Sequence, residues 1–296
     1  MRPCVIFNPA AKGQKSQRFQ RSLDTLAATN DLLRTSGPGD ARRLAATAIR
    51  EGRETIIAAG GDGTLNEVLN GFGDVPDGFA RARIGVLPLG TINVFARELG
   101  MPTQPEKALP ILARARESRI DLPLVEYGEP SARRRTYFAQ LAGAGLDARA
   151  IELLDWPTKK RIGPLAYVIA GLKALREKPA NLIVTSGHQT ITGQLVLIGN
   201  GRLYGGTFRI FPSADLRNGL LDVCVFPRAN WWTLARCGPG LLFHGHLPAS
   251  AVIRLQATSF TVTSRTPAPF EVDGELGARL PATFSIRPAG LRVIVP

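Results

Sequence analysis

Apolar residues in the first 120 positions alternate between two textures. Short, mostly β-branched runs predict strands at residues 4–8, 32–35, 55–59 and 84–87. Between them, apolar positions recur at helical spacing at 16–29, where Phe19, Leu23 and Leu26 share a face, and at 40–51, 64–71 and 91–99. Strands alternating with helices predict βαβ units, and so an open parallel sheet with helices on both faces. After residue 122 helical patterns become sparse, at 147–154, 164–178 and 230–236. Short strands punctuated by glycine and proline take over at 136–141, 181–185, 193–198, 220–226, 251–256 and 259–263. That texture predicts an antiparallel sheet or sandwich. The expected organisation is an α/β domain over 1–122 and a β-rich domain over 123–287. The last strand, 292–295 within the segment 288–296, is free to return to the first domain.

Composition supports two packed domains. A chain of 296 residues with 44% hydrophobic and 21% charged residues is globular, which excludes disordered and collagen-like classes. Cys4, Cys224 and Cys237 are odd in number and form no C-x-x-C pair, which argues for a reducing compartment and against a disulfide framework or cysteine zinc site. The longest charge-free stretch, 179–201, is broken by polar residues and glycine, and the apolar run 5–7 is too short for a signal sequence. The expected location is cytoplasmic. Charge is uneven: residues 1–150 carry 21 basic and 16 acidic side chains, and residues 151–296 carry 16 and 8. The formal net charge of +13 fits an anionic partner: nucleic acid, nucleotide or lipid headgroups.

Chemistry concentrates at turns that follow strands. Gly60-Gly61-Asp62-Gly63-Thr64 joins a buried strand to a helix. Its glycines admit close backbone approach, and the helix start offers free N–H groups to a phosphate. Asp62 supplies an oxygen for Mg²⁺, and Thr64 can cap the helix or touch phosphate. Residues 87–93 (LPLGTIN), 8–13 (NPAAKG) and 35–37 (TSG) make three more polar turns at successive strand ends, where open α/β sheets hold ligands. No Walker A pattern occurs, which excludes an ordinary P-loop fold.

In order, NPAAKG at 8–13, TSGPGDA at 35–41, GGDGTLNEVLNG at 60–71, PLGTINVFARELG at 88–100, GAGLDA at 143–148, GNGRLYGG at 199–206, ADLRNGLLDV at 214–223 and VDGE at 272–275 resemble the diacylglycerol kinase catalytic-domain family, in its bacterial lipid-kinase branch. The resemblance spans nearly the whole chain. It implies an N-terminal lobe like those of NAD kinases and diacylglycerol kinases, a C-terminal sandwich lobe, and Mg²⁺-assisted phosphoryl transfer from ATP to a lipid hydroxyl. By motif, Asn8, Thr35, Gly61, Asp62, Gly63, Thr64, Leu65, Asn66, Glu67 and Thr91 would hold the nucleotide, with Asp62 reaching Mg²⁺. Asp273 and Glu275 would lie on one side of an extended segment facing the γ-phosphate, one of them the general base. In relatives a structural metal loop corresponds to Asp215, Asn218 and Leu220. The usual aspartate there is Asn218 in this chain, which weakens attraction for a hard cation. Gln140 replaces a frequent asparagine, and Ile92 and Val94 replace a frequent glycine and aspartate.

Other signals are weaker. Residues 143–148 fit a dinucleotide fingerprint but lack its βαβ setting. His244 and His246 have no third ligand nearby and fit a loop. Lys159, Lys160 and Arg161 precede a helix whose Leu165, Val168, Ile169, Leu172 and Leu175 share a face, which either lies on an anionic membrane or packs on the sheet. Arg133-Arg134-Arg135 reads as a solvated turn, and Trp231-Trp232 as core or lobe packing. The reading is an ATP-dependent lipid kinase. Diacylglycerol is its default acceptor, with phosphatidylglycerol, ceramide or a sphingoid base as options. Anionic membrane is its peripheral partner, nucleic acid is none, and a homodimer is left open. The alternatives are an NAD kinase-like enzyme with a soluble acceptor and a non-catalytic lipid- or nucleotide-binding module.

Overall fold

A computed structural model describes residues 2–11, 24, 26–155, 165–241 and 247–296. The expected helix at 16–29 lies outside the described residues except at 24 and 26–29, which are helical. Lys12, Gly13, the 159–161 basic run and both His244 and His246 also lie outside them.

Four strands run parallel: β1 (Cys4–Phe7), β2 (Asp31–Arg34), β3 (Thr55–Gly60) and β4 (Arg83–Pro88), in the order β2-β1-β3-β4. All residues of β1 and β3 are buried, as strands covered on both faces must be. Helix α1 (Asp40–Arg50) buries Ala41, Ala45, Ala48 and Ile49 on one face. It packs closely on α2 (Asp62–Gly73), because a side chain at Gly71 would fall 2.4 Å from the Arg42 carbonyl oxygen. Helices α3 (Gly78–Arg81), α4 (Val94–Glu98) and α5 (Pro105–Arg114) complete this lobe.

Two elements differ from the sequence expectation here. Helix α2 begins at Asp62, two residues early, because Gly61 is extended and serves as N-cap. Helix α4 is confined to Val94–Glu98 because Asn93, at φ 52°, closes a loop. It accepts from the Gly90 N–H at 2.9 Å and donates to the Gly90 carbonyl at 2.8 Å.

Strand β5 (Glu117–Tyr127), which the hydrophobic pattern missed, runs straight through residue 122. After β6 (Arg134–Tyr137) and β7 (Leu141–Gly145) come α6 (Leu146–Glu152), α7 (Leu165–Ala174), β8 (Leu182–Ser186), β9 (Gln189–Gly193), β10 (Leu195–Gly199) and the small hairpin β11 (Leu203–Tyr204) and β12 (Phe208–Arg209). The chain continues through β13 (Leu221–Phe226), α8 (Trp231–Pro239), β14 (Ile253–Ala257), β15 (Ser259–Ser264), β16 (Pro269–Val272), β17 (Glu275–Arg279) and β18 (Ala282–Ile294). The expected strand at 136–141 is two strands in different sheets. The backbone breaks at 138–140 for a reason given below.

Strand β18 pairs antiparallel with β5 along most of its length, antiparallel with β15 at its start, and parallel with β4 at Val293. One ten-stranded sheet therefore runs from the parallel lobe into the second lobe. There it faces a six-stranded sheet ordered β14-β13-β10-β7-β16-β17. The two enclose a core of Val184, Val196, Val223, Phe260, Phe270 and Phe284. All three cysteines are buried free thiols. Among the described residues, no helix is long and apolar enough to cross a membrane.

Candidate active site

The turn between β3 and α2 meets the loop after β4 glycine to glycine. A side chain at Gly90 would fall 2.6 Å from the Gly61 Cα, and one at Gly60 would fall 2.4 Å from the Thr64 Oγ1. Neither position admits a Cβ without backbone movement. The Leu65 N–H is bonded to the Gly61 carbonyl at 3.1 Å. The three N–H groups before it, at 62–64, lie in the first turn, where a helix has no carbonyl to offer them. With the dipole of a twelve-residue helix behind them, they suit an anion. Asn8, at the end of β1, donates to the Thr64 Oγ1 at 3.0 Å. Thr35 follows β2 directly, and its N–H is held by the Phe7 carbonyl at 2.9 Å. Thr91 is exposed in the loop between β4 and α4. These residues line the C-terminal edge of the parallel strands.

Four predicted ligand residues have other partners. Leu65 is buried in the core. Asn66 donates to the Asp273 Oδ2 at 2.9 Å and to the Tyr137 carbonyl at 3.2 Å. The Glu67 carboxylate accepts from the N–H groups of Gly39 at 2.8 Å and Ala41 at 3.0 Å, so it caps α1 from a distance. Asp62 turns its carboxylate onto the N–H groups of Asn93, Val94 and Phe95, at the start of α4. It clamps the two glycine loops together, and with three of a carboxylate's roughly four acceptor sites taken, about one is left for a cation.

Burial pushes the Asp62 carboxyl up to about 6; the Asp273 charge adds to the rise and the three donors oppose it. The unfolded chain loses this proton near pH 4 and the folded chain near pH 6. Unfolding therefore releases a proton between those values, and stability falls as pH rises through that window. The stability difference between wild type and Asp62→Asn should decline on the order of 2–3 kcal/mol from pH 4 to 6. Denaturant melts of the pair across that range measure it, and a flat difference refutes it.

The Asp-Gly-Glu segment is a hairpin turn joining β16 to β17, which corrects the expectation of an extended segment. Asp273 and Gly274 have φ 48° and 83°, both left-handed, as a tight two-residue hairpin requires. The turn separates the two acids. Asp273 points inward, its Oδ2 accepting from Asn66 and from the Ala139 N–H at 2.7 Å. Its Oδ1 accepts from the N–H groups of Gln140 at 3.0 Å and Leu141 at 3.1 Å. These bonds are why the backbone breaks between β6 and β7. Burial pushes the Asp273 carboxyl up and the four donors oppose it. Glu275 is exposed, and its Oε1 lies where a side chain at Gly63 would meet it at 2.4 Å. It stands over the first turn of α2.

Comparison with known proteins gives this arrangement a context. Residues 2–125 match the model of the diacylglycerol kinase catalytic domain, and 140–295 match that of the YegS C-terminal NAD kinase beta sandwich-like domain. A diacylglycerol kinase of Staphylococcus haemolyticus (strain JCSC1435) is 30% identical over 296 residues, covering 96% of this chain and 86% of that protein. The chain belongs to the diacylglycerol kinase family. The Staphylococcus carnosus (strain TM300) diacylglycerol kinase is 29% identical over 287 residues, covering 95% of this chain and 90% of that one. A crystal structure of a diacylglycerol kinase from Bacillus anthracis superposes with TM-score 0.74 at 20% identity, covering 100% of this chain and 97% of that chain. Yeast NADH kinase complexed with NADH shares the fold at TM-score 0.55 and 11% identity, covering 100% and 84%.

In this diacylglycerol kinase family member, the loop equivalent to the structural metal site is closed by its own hydrogen bonds. The Asp215 Oδ1 accepts from the Arg217 N–H at 2.9 Å, and the Asn218 Oδ1 from the Leu220 N–H at 2.9 Å. The nearby Asp121 gives both oxygens away, to the Gly219 N–H at 2.7 Å and the Ala289 N–H at 2.8 Å. These bonds occupy the Asp215 Oδ1, the Asn218 Oδ1 and both Asp121 carboxylate oxygens. No group of three or more acidic, histidine or cysteine side chains among the described residues is placed to hold a metal ion. At the phosphate turn the donor set differs. A magnesium ion carried by a nucleotide takes most of its oxygens from phosphate and water, and the remaining acceptor site of Asp62 could complete it.

The sequence reading missed a buried acid pair behind the hairpin turn. The Glu271 Oε2 accepts from the Gly274 N–H at 2.7 Å, and its Oε1 is buried close to the Asp147 Oδ2, neither oxygen having a hydrogen-bond partner among the described residues, while Asp147 also meets the Tyr204 hydroxyl. Two carboxyls buried this close disfavour being ionised together. Burial holds Glu271 well above the usual carboxyl range, and the Asp147 charge adds to this. A side chain at Gly143 would fall 2.1 Å from the Asp147 Oδ2, so that glycine makes room for the pair. The signal was present in GAGLDA and in the residues before Asp273. Only the pairing of β7 with β16, which sets Glu271 opposite Gly143, brings them together.

Proposed function

We propose that the chain transfers the γ-phosphate of ATP to the hydroxyl of a lipid, with diacylglycerol as the default acceptor. The observation that carries this reading is Glu275 poised over the N-terminus of α2, beside the glycine pair at 61 and 90. The first-turn N–H groups of α2 would take phosphate oxygens, with Asn8, Thr35, Thr64 and Thr91 around them. Backbone donors of this kind neutralise the charge that spreads over the phosphoryl oxygens during transfer.

Glu275 is the proposed general base, accepting the proton of the attacking lipid hydroxyl. Asp273 is the proposed positioning residue: its four donors fix the turn from which Glu275 projects. Asp62 locks the loop after β4 against the loop after β3 and would contact nucleotide-borne Mg²⁺. That ion would neutralise phosphate charge when bound. The lipid reading rests on the family, since soluble-acceptor NAD kinases share only the fold.

The test is transfer of label from γ-labelled ATP across diacylglycerol, phosphatidylglycerol, ceramide, a sphingoid base and NAD. Label is expected in a lipid, diacylglycerol foremost. Label in NAD and none in any lipid would refute the proposal. Tight lipid or nucleotide binding without transfer to any acceptor would point to a binding module instead.

A further inference from the structure

Trp231 and Trp232 were expected in the core or between lobes, and the structure places them outside. Trp232 is 84% exposed and Trp231 49%, the two adjoining the exposed Leu234 on α8. The inward face of α8 is already filled: Cys237 is buried against Leu247 and Val252, and the Asn230 side chain caps the helix through the Thr233 N–H at 2.9 Å. The outward positions are Trp231, Trp232, Leu234, Ala235, Arg236 and Pro239, of which Arg236 alone is polar. So apolar an outward side on a surface helix is a candidate contact face.

We infer that the Trp231–Trp232–Leu234 face of α8 seats the protein on an anionic lipid bilayer. Three features select this occupant. Tryptophan is the side chain that partitions to the headgroup boundary, with its apolar ring inward and its N–H toward polar groups. The charge of the flanking sequence is of one sign: between Asp222 and Glu271 it has Arg228, Arg236, Arg254 and Arg265 and no acid. Basic side chains beside an apolar face add attraction to anionic headgroups. A second copy docked on this face would bring two sets of Arg228 and Arg236 into one interface, with no acid from this segment to offset them. Arg236 also ties α8 to the turn before β14, donating to the Ser250 Oγ at 2.6 Å, and the first residue of β14, Ile253, is exposed as well. The apolar face is thus held on a braced helix.

This inference rests on the lipid-kinase reading for its purpose but is tested apart from it. Sedimentation with sucrose-loaded vesicles of phosphatidylglycerol and phosphatidylcholine measures binding. The Trp231→Ala/Trp232→Ala protein should lose at least tenfold in affinity for anionic vesicles. It should keep its melting temperature and its rate on a short-chain diacylglycerol dispersed below its critical micelle concentration. Arg228→Glu should weaken binding to anionic vesicles more than to zwitterionic ones. In a Trp156→Phe background only the two helix tryptophans report, and their emission should shift blue and be quenched by brominated lipid.

Wild-type protein that ignores anionic vesicles overturns the inference, as does binding that survives the double substitution but fails in Val168→Ala/Ile169→Ala on α7. A dimer that dissociates on the double substitution, with no vesicle binding, assigns the face to a second copy and overturns it equally. Vesicle binding through α8 without phosphoryl transfer to any lipid would sustain this inference and refute the proposed function.

Discussion

Glutamine at position 275 should lower the turnover number about 10²- to 10⁴-fold, the range that general-base catalysis contributes. The substitution is isosteric and the side chain is exposed, so the melting temperature should not move. Nor should the KM for ATP rise. Glu275 places a negative charge beside the N–H groups of α2, and neutralising it removes a repulsion toward phosphate. Steady-state kinetics and a thermal melt on one preparation check all three expectations. A wild-type rate in Glu275→Gln would refute the assignment of the base.

Asparagine at position 273 should show the opposite signature. Each carboxylate oxygen of Asp273 accepts two donors, so whichever oxygen becomes an NH₂ group confronts two others. Two lost hydrogen bonds in a largely buried site cost about 2–4 kcal/mol, or roughly 3–6 °C in melting temperature for a chain of this size. Activity should fall tenfold or more as the turn bearing Glu275 loses its anchor. A variant that melts like the wild type would mean that Asp273 already carries a proton, because a neutral carboxyl and an amide offer similar donors and acceptors. The pair of substitutions therefore separates chemistry from positioning. The wild-type melting temperature with lost turnover belongs to position 275, and loss of both belongs to position 273.

Much of this protein was legible in local pattern. The buried runs of β1, β3 and β4, the glycine turn at 60–64 and the Ala-rich face of α1 follow from spacing and backbone chemistry alone. What local pattern could not show was where each polar side chain finds its partner. Glu67 sits in the middle of the phosphate-turn motif, yet its carboxylate caps a helix that begins 27 residues earlier in sequence, at Asp40. Asp62 likewise belongs to the glycine turn, but its donors come from the start of α4. Strand β5 escaped notice because Asp121 and Pro123 interrupt its apolar pattern. Asp121 is paid for by the N–H groups of Gly219 and Ala289, from far along the chain.

The sequence by itself determined the α/β and sandwich architecture, the glycine turn and the family. Those properties rest on local periodicity and on glycines whose backbone freedom no other residue supplies. Only the tertiary structure decided which acid of the Asp-Gly-Glu segment is buried and which is poised, because a two-residue hairpin turn points them apart. It alone brought Asp147 and Glu271, 124 positions apart, together as buried acids behind that turn. It also put two tryptophans in solvent. The apolar pattern of α8 reads the same whether its outer face meets a protein core or a bilayer, and burial is a property of the folded chain.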